Sequence, residues 1–169
     1  NPQPECVYVM ATCCHPDTWE ILKDQAVVIY HLLFNKSTVP WVKKNDPQSL
    51  VLVSGSAAGL SAIAIGHTLG FRKFECFGFD CSKQDGARHA GAHPGLAAGH
   101  EDLEWEANGK KYITSKIMVN SAAEFMHWIK KHDIKVVMHG DGLTQAMVEE
   151  TDLPNAAIAG TEKAKLVLS

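Results

Sequence analysis

The sequence predicts a three-layer α/β domain with a mainly parallel sheet and an inserted β-hairpin. Short, almost continuously apolar segments, typical of strands covered on both faces, alternate along the chain with segments of helical character. The pair Asn108-Gly109 interrupts this alternation between two segments of alternating apolar and polar residues, which predicts a hairpin between Leu103 and Thr114. A chain of 169 residues suits one domain with a core large enough to be stable. We therefore expect a single domain over residues 1–169.

Three strands are predicted in the first third of the chain. Each corresponds to an apolar segment: residues 6–11, 26–34 and 50–54. Pro16 in a first helical turn, with Asp17 behind it, predicts a helix after the first of these strands. A polar stretch that contains Pro40 and Pro47 separates the second strand from the third.

The rest of the chain continues the alternation of helices and strands. A helix is predicted over residues 55–70, because its small residues suit close packing on a sheet and Gly70 suits a C-terminal cap. The elements predicted after it are a strand over residues 73–79, the hairpin, a helix over 115–132, a strand over 134–140 and a short helix over 143–150. The tail from Asp152 carries no firm pattern.

Composition narrows the classes of partner. A formal charge of −3 gives no basic field, so we expect neither a nucleic acid nor a membrane as a partner. The longest apolar stretch, near Leu60, is interrupted by Ser61 and Gly66 and does not span a bilayer.

Five cysteines without a CxxC pair argue against a disulfide framework and for a cytoplasmic protein. Because the chain begins at Asn1 and not at Met, we expect it to be a domain of a longer protein.

Candidate site residues follow the predicted strands, at the edge where open parallel sheets bind ligands. Asp80 ends its strand there and suits a hydrogen bond from a substrate hydroxyl or a bond to Mg²⁺, unless it caps the amides of its own loop. His89 and His93 lie in the glycine-rich loop that follows, where a histidine can contact substrate or phosphate. With His100 and Cys81 they have the ligand types of a zinc site, but the loop lacks rigid ligand spacing, and we expect no zinc.

Two further segments offer binding groups. Ser54, Gly55 and Ser56 follow a strand and open a helix, where backbone N–H groups can cradle a phosphate. An equally good interpretation is a tight turn whose small residues allow helix–sheet packing. Asp141, between Gly140 and Gly142, suits ligand binding or the N-cap of the last helix.

Several motifs, in this order, resemble the MptE-like family. They are "SGSAAGLSAIAIGHTLGFRKFECFGFDCS" (54–82), "RHAGAHPG" (88–95), "NGKKYITS" (108–115) and "MHGDGL" (138–143). The family is named for archaeal 6-hydroxymethylpterin diphosphokinase and is related to the motility-associated factors that help to glycosylate flagellin. More distantly, residues 69–80 are similar to a segment of bacterial sialyltransferases.

The resemblance implies a Rossmann-like fold that binds a small-molecule nucleotide or nucleotide-sugar. It implies a group-transfer enzyme of the diphosphokinase or glycosyltransferase type, with Asp80 and His89 as catalytic residues and Gly55 and Ser56 as the glycine turn. Mg²⁺ is expected with the nucleotide donor if the reaction is diphosphate transfer. The GPS-type turn that follows the first strand of family members has no counterpart in this chain. The resemblance therefore implies either that the chain is the C-terminal part of a longer protein or that it has lost part of the nucleotide site. The alternative is therefore a non-catalytic ligand-binding or interaction domain without a complete active site.

Overall fold

The computed structural model describes residues 2–33, 35–52, 55–83 and 101–168. In these ranges the chain is mixed α/β, with two three-stranded parallel sheets and one two-stranded antiparallel sheet. No helix within them combines the length and the apolar character that crossing a bilayer requires. The chain forms two compact units, Asn1–Ser54 and Gly55–Ser169. The expectations of a single domain and of a three-layer arrangement stay predictions.

The first unit contains three parallel strands and two helices. In chain order they are β1 (Val7–Ala11), α1 (Pro16–Ile21), β2 (Ala26–Leu32), α2 (Thr38–Asn45) and β3 (Leu50–Leu52). Strand β2 lies in the middle and pairs in parallel with β1 and with β3. The helix predicted after the first strand is confirmed: Pro16 lies in the first turn of α1, and the imidazole of His15 accepts a hydrogen bond from the Asp17 amide.

Two features of this unit differ from the sequence-based expectation. Helix α2 lies in the polar stretch between the second and third strands, and Pro40 falls in its first turn. A proline is tolerated there because the first amides of a helix have no intrahelical acceptor. Strand β2 was expected to be covered on both faces, but the side chains of Val28 and Ile29 are about half exposed.

The second unit contains five strands and four helices. They are α3 (Ala58–Thr68), β4 (Lys73–Cys76), β5 (Asp102–Ala107), β6 (Lys110–Ser115), α4 (Lys116–Lys131), β7 (Lys135–Met138), α5 (Leu143–Thr151), β8 (Ala156–Ile158) and α6 (Glu162–Leu168). Strand β7 lies between β4 and β8 and pairs in parallel with both. Strand β8 and helix α6 belong to the tail for which the sequence predicted no element.

The strands predicted over residues 50–54, 73–79 and 134–140 were expected to share one sheet. The hydrogen bonds of the described residues place β3 beside β2, and β4 beside β7. A common sheet for these three segments is therefore not confirmed.

The core of the second unit covers both faces of β7. The larger cluster brings residues of α3, α4 and α5 onto one face, where Val136 and Met138 are fully buried. On the other face, Val137 packs with Ala157 of β8 and Val167 of α6. Burial on both faces is what a continuously apolar parallel strand requires.

Glycines shape two ends of these elements as the sequence predicted. Gly70 has φ +97, its amide bonds the His67 carbonyl, and the Phe71 amide bonds the Gly66 carbonyl, which is a Schellman cap at the end of α3. In the hairpin of β5 and β6, Asn108 and Gly109 have φ 49 and 69. Positive φ at both positions is the type I′ geometry that an Asn-Gly pair favours.

Candidate functional site

The carboxyl ends of β4 and β7 lie side by side and define the candidate site. The two strands pair in parallel, and Cys76 lies opposite Met138 at their last paired positions. Residues 77–83 follow β4, and residues 139–142 lead from β7 into α5. This is the edge of a parallel sheet at which α/β proteins bind their ligands.

Asp80 is packed against the glycine-containing loop that follows β7. Its carbonyl oxygen accepts a hydrogen bond from the Thr144 amide at 3.1 Å. A Cβ added to Gly142 would lie 2.6 Å from the Asp80 Cα, and one added to Gly140 would lie 2.7 Å from Asp80 Oδ1. The two glycines are therefore required for the loop to approach Asp80 this closely.

Gln145 orients the Asp80 carboxylate. This side chain, in the first turn of α5, is only 2% exposed, and its Nε2 donates to Asp80 Oδ1 at 3.0 Å and to the His139 carbonyl at 2.9 Å. Because an ionised carboxylate and a carbonyl can only accept, the amide orientation is fixed. Gln145 Oε1 is then buried without a partner among the described residues. An unpaired buried acceptor lowers the free energy of unfolding by about 1–3 kcal/mol. The arrangement therefore holds Asp80 in position at a cost in stability.

Among the described residues, one oxygen of the Asp80 carboxylate has a hydrogen-bond partner. Within the described ranges, Oδ1 accepts the hydrogen bond from Gln145, and Oδ2 has no hydrogen-bond partner. A half-buried carboxylate that has one oxygen held by Gln145, and the other without a partner in the described part of the chain, can accept a hydrogen bond or a proton from a ligand.

The residues after Asp80 are tied to the hairpin. Cys81 adopts a positive φ of 51, and its carbonyl accepts a hydrogen bond from the Thr114 hydroxyl at 2.7 Å. The Lys83 amide donates to the Ile113 carbonyl, also at 2.7 Å. These two bonds fix the start of the segment in which the sequence predicted the ligand-contacting histidines.

Cys81 is the other titratable side chain next to Asp80. Burial raises the pKa of its thiol, and the charge of Asp80 adds to that shift. A thiol whose pKa is raised stays protonated at neutral pH and is a poor nucleophile. Cys81 therefore contributes packing at the site and does not suit nucleophilic chemistry.

The turn that opens α3 binds a carboxylate of the protein itself. Gly55 has φ +60, and the Ser56 amide and hydroxyl both donate to Glu124 Oε2 of α4 at 2.7 Å. The Ser56 hydroxyl also lies 2.7 Å from the Ser121 hydroxyl. One interpretation of the sequence made this turn a contact for an anionic ligand. In the structure, the carboxylate of Glu124 accepts the hydrogen bond from the Ser56 amide that such a ligand would accept.

The first turn of helix α3, which follows this turn, packs against the segment that carries Asp80. A Cβ added to Gly59 would lie 2.7 Å from the ring of Phe79, the residue before Asp80. The Phe79 ring also packs on Phe125 of α4, with 4.9 Å between the ring centroids. The first turn of α3 and the Asp80 segment therefore share one packed region.

Asp141 lies on the loop after β7 and is exposed. Its alternative role as the N-cap of the last helix is wrong for α5, because the N-cap is Gly142 and no side chain caps that helix. Burial raises the pKa of the Tyr112 hydroxyl on the hairpin, and the charges of Asp141 and Glu149 raise it further. Asp141 therefore remains a candidate for ligand binding, near Tyr112.

Sequence reasoning did not assign three residues that lie at the same edge. His139 Nε2 is 2.9 Å from Glu75 Oε2, and the His139 ring stacks on Phe77 with 3.8 Å between centroids and 18° between planes. Phe77 and His139 each follow the last paired residue of their strands. The parallel register of β4 and β7 was the signal that could have found them.

Three of the predicted site residues, Ser54, His89 and His93, lie outside the described residues, and their roles stay predictions. His100 also lies outside, so the expectation that this loop holds no zinc stays a prediction. Within the described ranges, no three His, Cys, Asp or Glu side chains lie close enough together to hold a metal ion. The Mg²⁺ ion that is expected with the nucleotide donor if the reaction is diphosphate transfer also stays a prediction.

Fold and site together define a mixed α/β protein with a polar site at the carboxyl edge of a parallel sheet. A comparison with known protein families, with curated proteins and with solved structures found no match in any of the three. The functional interpretation therefore depends on the geometry of the site and on the motifs of the sequence.

Proposed function

We propose that this protein is a group-transfer enzyme that uses a nucleotide-activated donor, of the diphosphokinase or glycosyltransferase type. The observation that carries the proposal is the fixed carboxylate of Asp80, whose Oδ1 is held by Gln145 and whose Oδ2 is available within the described ranges. A carboxylate fixed at the carboxyl ends of parallel strands suits the binding or deprotonation of a ligand hydroxyl. The resemblance to the MptE-like family supports the same reaction class and a Rossmann-like arrangement. The proposed cytoplasmic location is supported by the five cysteines, which have no CxxC pair.

In this proposal Asp80 accepts the proton of the acceptor hydroxyl. The hydroxyl oxygen attacks the donor at phosphorus or at the anomeric carbon, and the nucleotide leaves with the electron pair of the broken bond. Chemistry of this kind depends mainly on positioning, which the contacts of Asp80 with Gln145 and Gly142 supply. His89 and His93 are the proposed contacts to the donor and acceptor.

The turn at Ser54, Gly55 and Ser56 is the proposed contact for the donor phosphate. A phosphate that reaches the Ser56 amide has to replace the carboxylate of Glu124, so one anion exchanges for another at this helix terminus. Asp141, exposed on the neighbouring loop, is the proposed partner of a polar group of the ligand.

The second candidate function is a non-catalytic ligand-binding domain. One observation favours it: Glu124 already satisfies both the amide and the hydroxyl of Ser56, so the proposed phosphate contact is closed by the protein itself. A binding domain that kept the Asp80 edge without a working phosphate contact would bind a ligand and not turn it over.

A thermal-shift and turnover experiment tests the proposal. ATP, CMP-sugars and 6-hydroxymethylpterin are added to the wild-type chain and to the Asp80→Asn variant. This substitution keeps the shape of the side chain but removes its charge and most of its basicity. We expect at least one probe to raise the melting temperature of the wild type, and release of the nucleotide when donor and acceptor are combined. We expect both effects to be lost in Asp80→Asn.

Asp133→Asn is the matched control, because Asp133 is an exposed carboxylate in the turn before β7, at the opposite end of that strand. This variant is expected to keep the ligand-induced shift. Binding without turnover would support the second candidate function. If none of the probes binds to the wild-type chain, both candidate functions are wrong for these ligand classes.

A further inference from the structure

Phe77 is a large apolar side chain that the fold leaves in solvent. It lies just after β4 and is 70% exposed, yet one face of its ring stacks on His139 at 3.8 Å. A ring that contributed mainly to folding would be buried in the core, as the ring of Phe125 is. Among the described residues, His139 is the ring that stacks on Phe77, and most of the Phe77 side chain is left for contact with a further planar group.

His139 is a rigid support for this ring. Its Nε2 is held by Glu75 Oε2 at 2.9 Å, and its backbone amide bonds the Cys76 carbonyl at 2.9 Å. Its carbonyl accepts a hydrogen bond from Gln145, the residue that also holds Asp80. Gln145 therefore bonds both the Asp80 carboxylate and the backbone of the residue that supports Phe77.

The surroundings of Phe77 favour a small planar ligand over a protein partner. On its face of β4, the alternate residues are Glu75 and Lys73, both charged and exposed. A docking surface for a protein needs a contiguous apolar patch of several hundred Å², and charged neighbours interrupt it here. A single aromatic ring with one open face is sufficient to stack a heterocycle.

We propose that Phe77, backed by His139, is the stacking platform for the planar nitrogen heterocycle of the ligand, a purine or a pterin ring. The inference rests on the proposed function, since it names the part of the nucleotide or pterin that this edge of the sheet recognises. Glu75 is a positioning residue: it holds the imidazole that supports the Phe77 ring. The heterocycle binds on the outer face of Phe77, at the same edge of the sheet as Asp80.

Calorimetric titration of the Phe77→Ala and Phe77→Leu variants tests the platform. The probes are ATP, guanosine, adenosine and 6-hydroxymethylpterin, and tripolyphosphate serves as a probe without a heterocycle. Base stacking on an aromatic side chain predicts that the Kd of the heterocyclic probes rises on the order of tenfold in Phe77→Ala. Phe77→Leu keeps an apolar side chain but not the aromatic face, and is expected to behave in the same way. The Kd of tripolyphosphate is expected to stay unchanged in both variants.

Two further variants sharpen the test. Phe71→Ala is the matched control, because Phe71 is 61% exposed and lies before β4, at the opposite end of the strand. It is expected to keep the wild-type Kd for every probe. Phe77→Trp places a fluorophore on the platform, and a stacked purine or pterin is expected to quench it, whereas tripolyphosphate is not.

The outcomes separate this inference from the proposed function. Unchanged heterocycle affinity in Phe77→Ala, together with lost affinity in Asp80→Asn, overturns the platform and leaves the proposed function standing. Adenosine or pterin binding that depends on Phe77, without nucleotide release from any donor, supports the platform and contradicts the enzyme. A wild-type dimer that becomes monomeric in Phe77→Ala, with no probe bound, overturns the platform in favour of a protein contact.

Discussion

At the scale of single residues, the site depends on glycine positions as much as on functional side chains. Gly142 has an ordinary φ of −78, so its backbone conformation is open to any residue. A Cβ there would nevertheless lie 2.6 Å from the Asp80 Cα. Position 142 therefore requires glycine because Asp80 packs closely against it. The backbone conformation at this position does not require glycine.

We predict that Gly142→Ala displaces Asp80. Overpacking of this kind typically costs about 1–3 kcal/mol of the free energy of unfolding. The shift of Asp80 is also expected to abolish ligand-induced stabilisation, because Gln145 no longer holds the carboxylate in place. Urea denaturation with and without the probe that stabilises the wild type measures both effects.

Gly160→Ala is the control for this prediction. Gly160 has φ +84 and free space where a Cβ would lie, so its substitution introduces backbone strain without a clash. It is expected to cost about 1–2 kcal/mol and to keep ligand-induced stabilisation. Equal loss of ligand binding in both variants would contradict the specific role of Gly142.

At the scale of elements, the sequence predicted best where structure is local. The hairpin turn needs only the conformations of Asn108 and Gly109, and both adopt them. Helix α2 was missed because Pro40 and its polar neighbours carry the signals of a loop, although a proline is tolerated in a first turn. Strand β8 was missed because three residues are too few to show a period.

The candidate site depends on contacts that no local pattern encodes. Asp80 could be placed at a strand end from the sequence, but its bond to Gln145 joins residues 65 positions apart. The bonds of Ser56 to Glu124 join residues 68 positions apart. Local periodicity predicts which residues lie on an element, and only the packing of the elements decides which side chains meet.

The packing of strand β4 can be tested through the pKa of the Cys76 thiol. Its inner face carries Cys76, which packs against the main core, and burial raises the pKa of this thiol to about 11 from the ordinary value of 9.0. The folded state therefore keeps the proton to higher pH than the unfolded state. Between pH 9 and 11 the unfolded chain binds fewer protons, so the free energy of unfolding falls as pH rises.

We predict that Cys76→Ala flattens this fall. The thiol accounts for at most about 3 kcal/mol between pH 9 and 11, at about 1.4 kcal/mol for each unit of pKa shift. The pKa values of Cys81, Tyr112 and Lys111 are also raised, but these groups titrate in both proteins, so the difference between the two pH profiles isolates Cys76. Urea denaturation at half-unit steps of pH provides the profiles.

Cys13→Ala serves as the control, because Cys13 is exposed in the first unit. Its pH profile is expected to follow the wild type. Parallel profiles for the wild type and Cys76→Ala would show that the thiol ionises equally easily in the folded and unfolded chains, which contradicts its burial on β4.

At the scale of the whole molecule, the described part of the candidate site lies within one of the two compact units. Asp80, Gln145, Phe77, His139 and the Ser56–Glu124 contact all belong to Gly55–Ser169. That unit also contains most of the largest fully buried side chains among the described residues, including Phe125, Leu60, Ile129 and Met138. Among the described residues of the unit Asn1–Ser54, the buried apolar set is smaller: Met10, Ala11, Leu22, Tyr30, Val42 and Leu52.

This asymmetry predicts different behaviour of the two units as separate fragments. A 115-residue fragment (55–169) buries enough apolar surface to fold alone, whereas a 54-residue fragment (1–54) falls in the size range where a hydrophobic core is marginal. We expect the longer fragment to melt cooperatively by circular dichroism and to keep the Asp80-dependent thermal shift of the full chain. The shorter fragment is expected to show no cooperative melt. A longer fragment that stays unfolded while the full chain folds would mean that the site depends on residues 1–54 and that the two units form one domain.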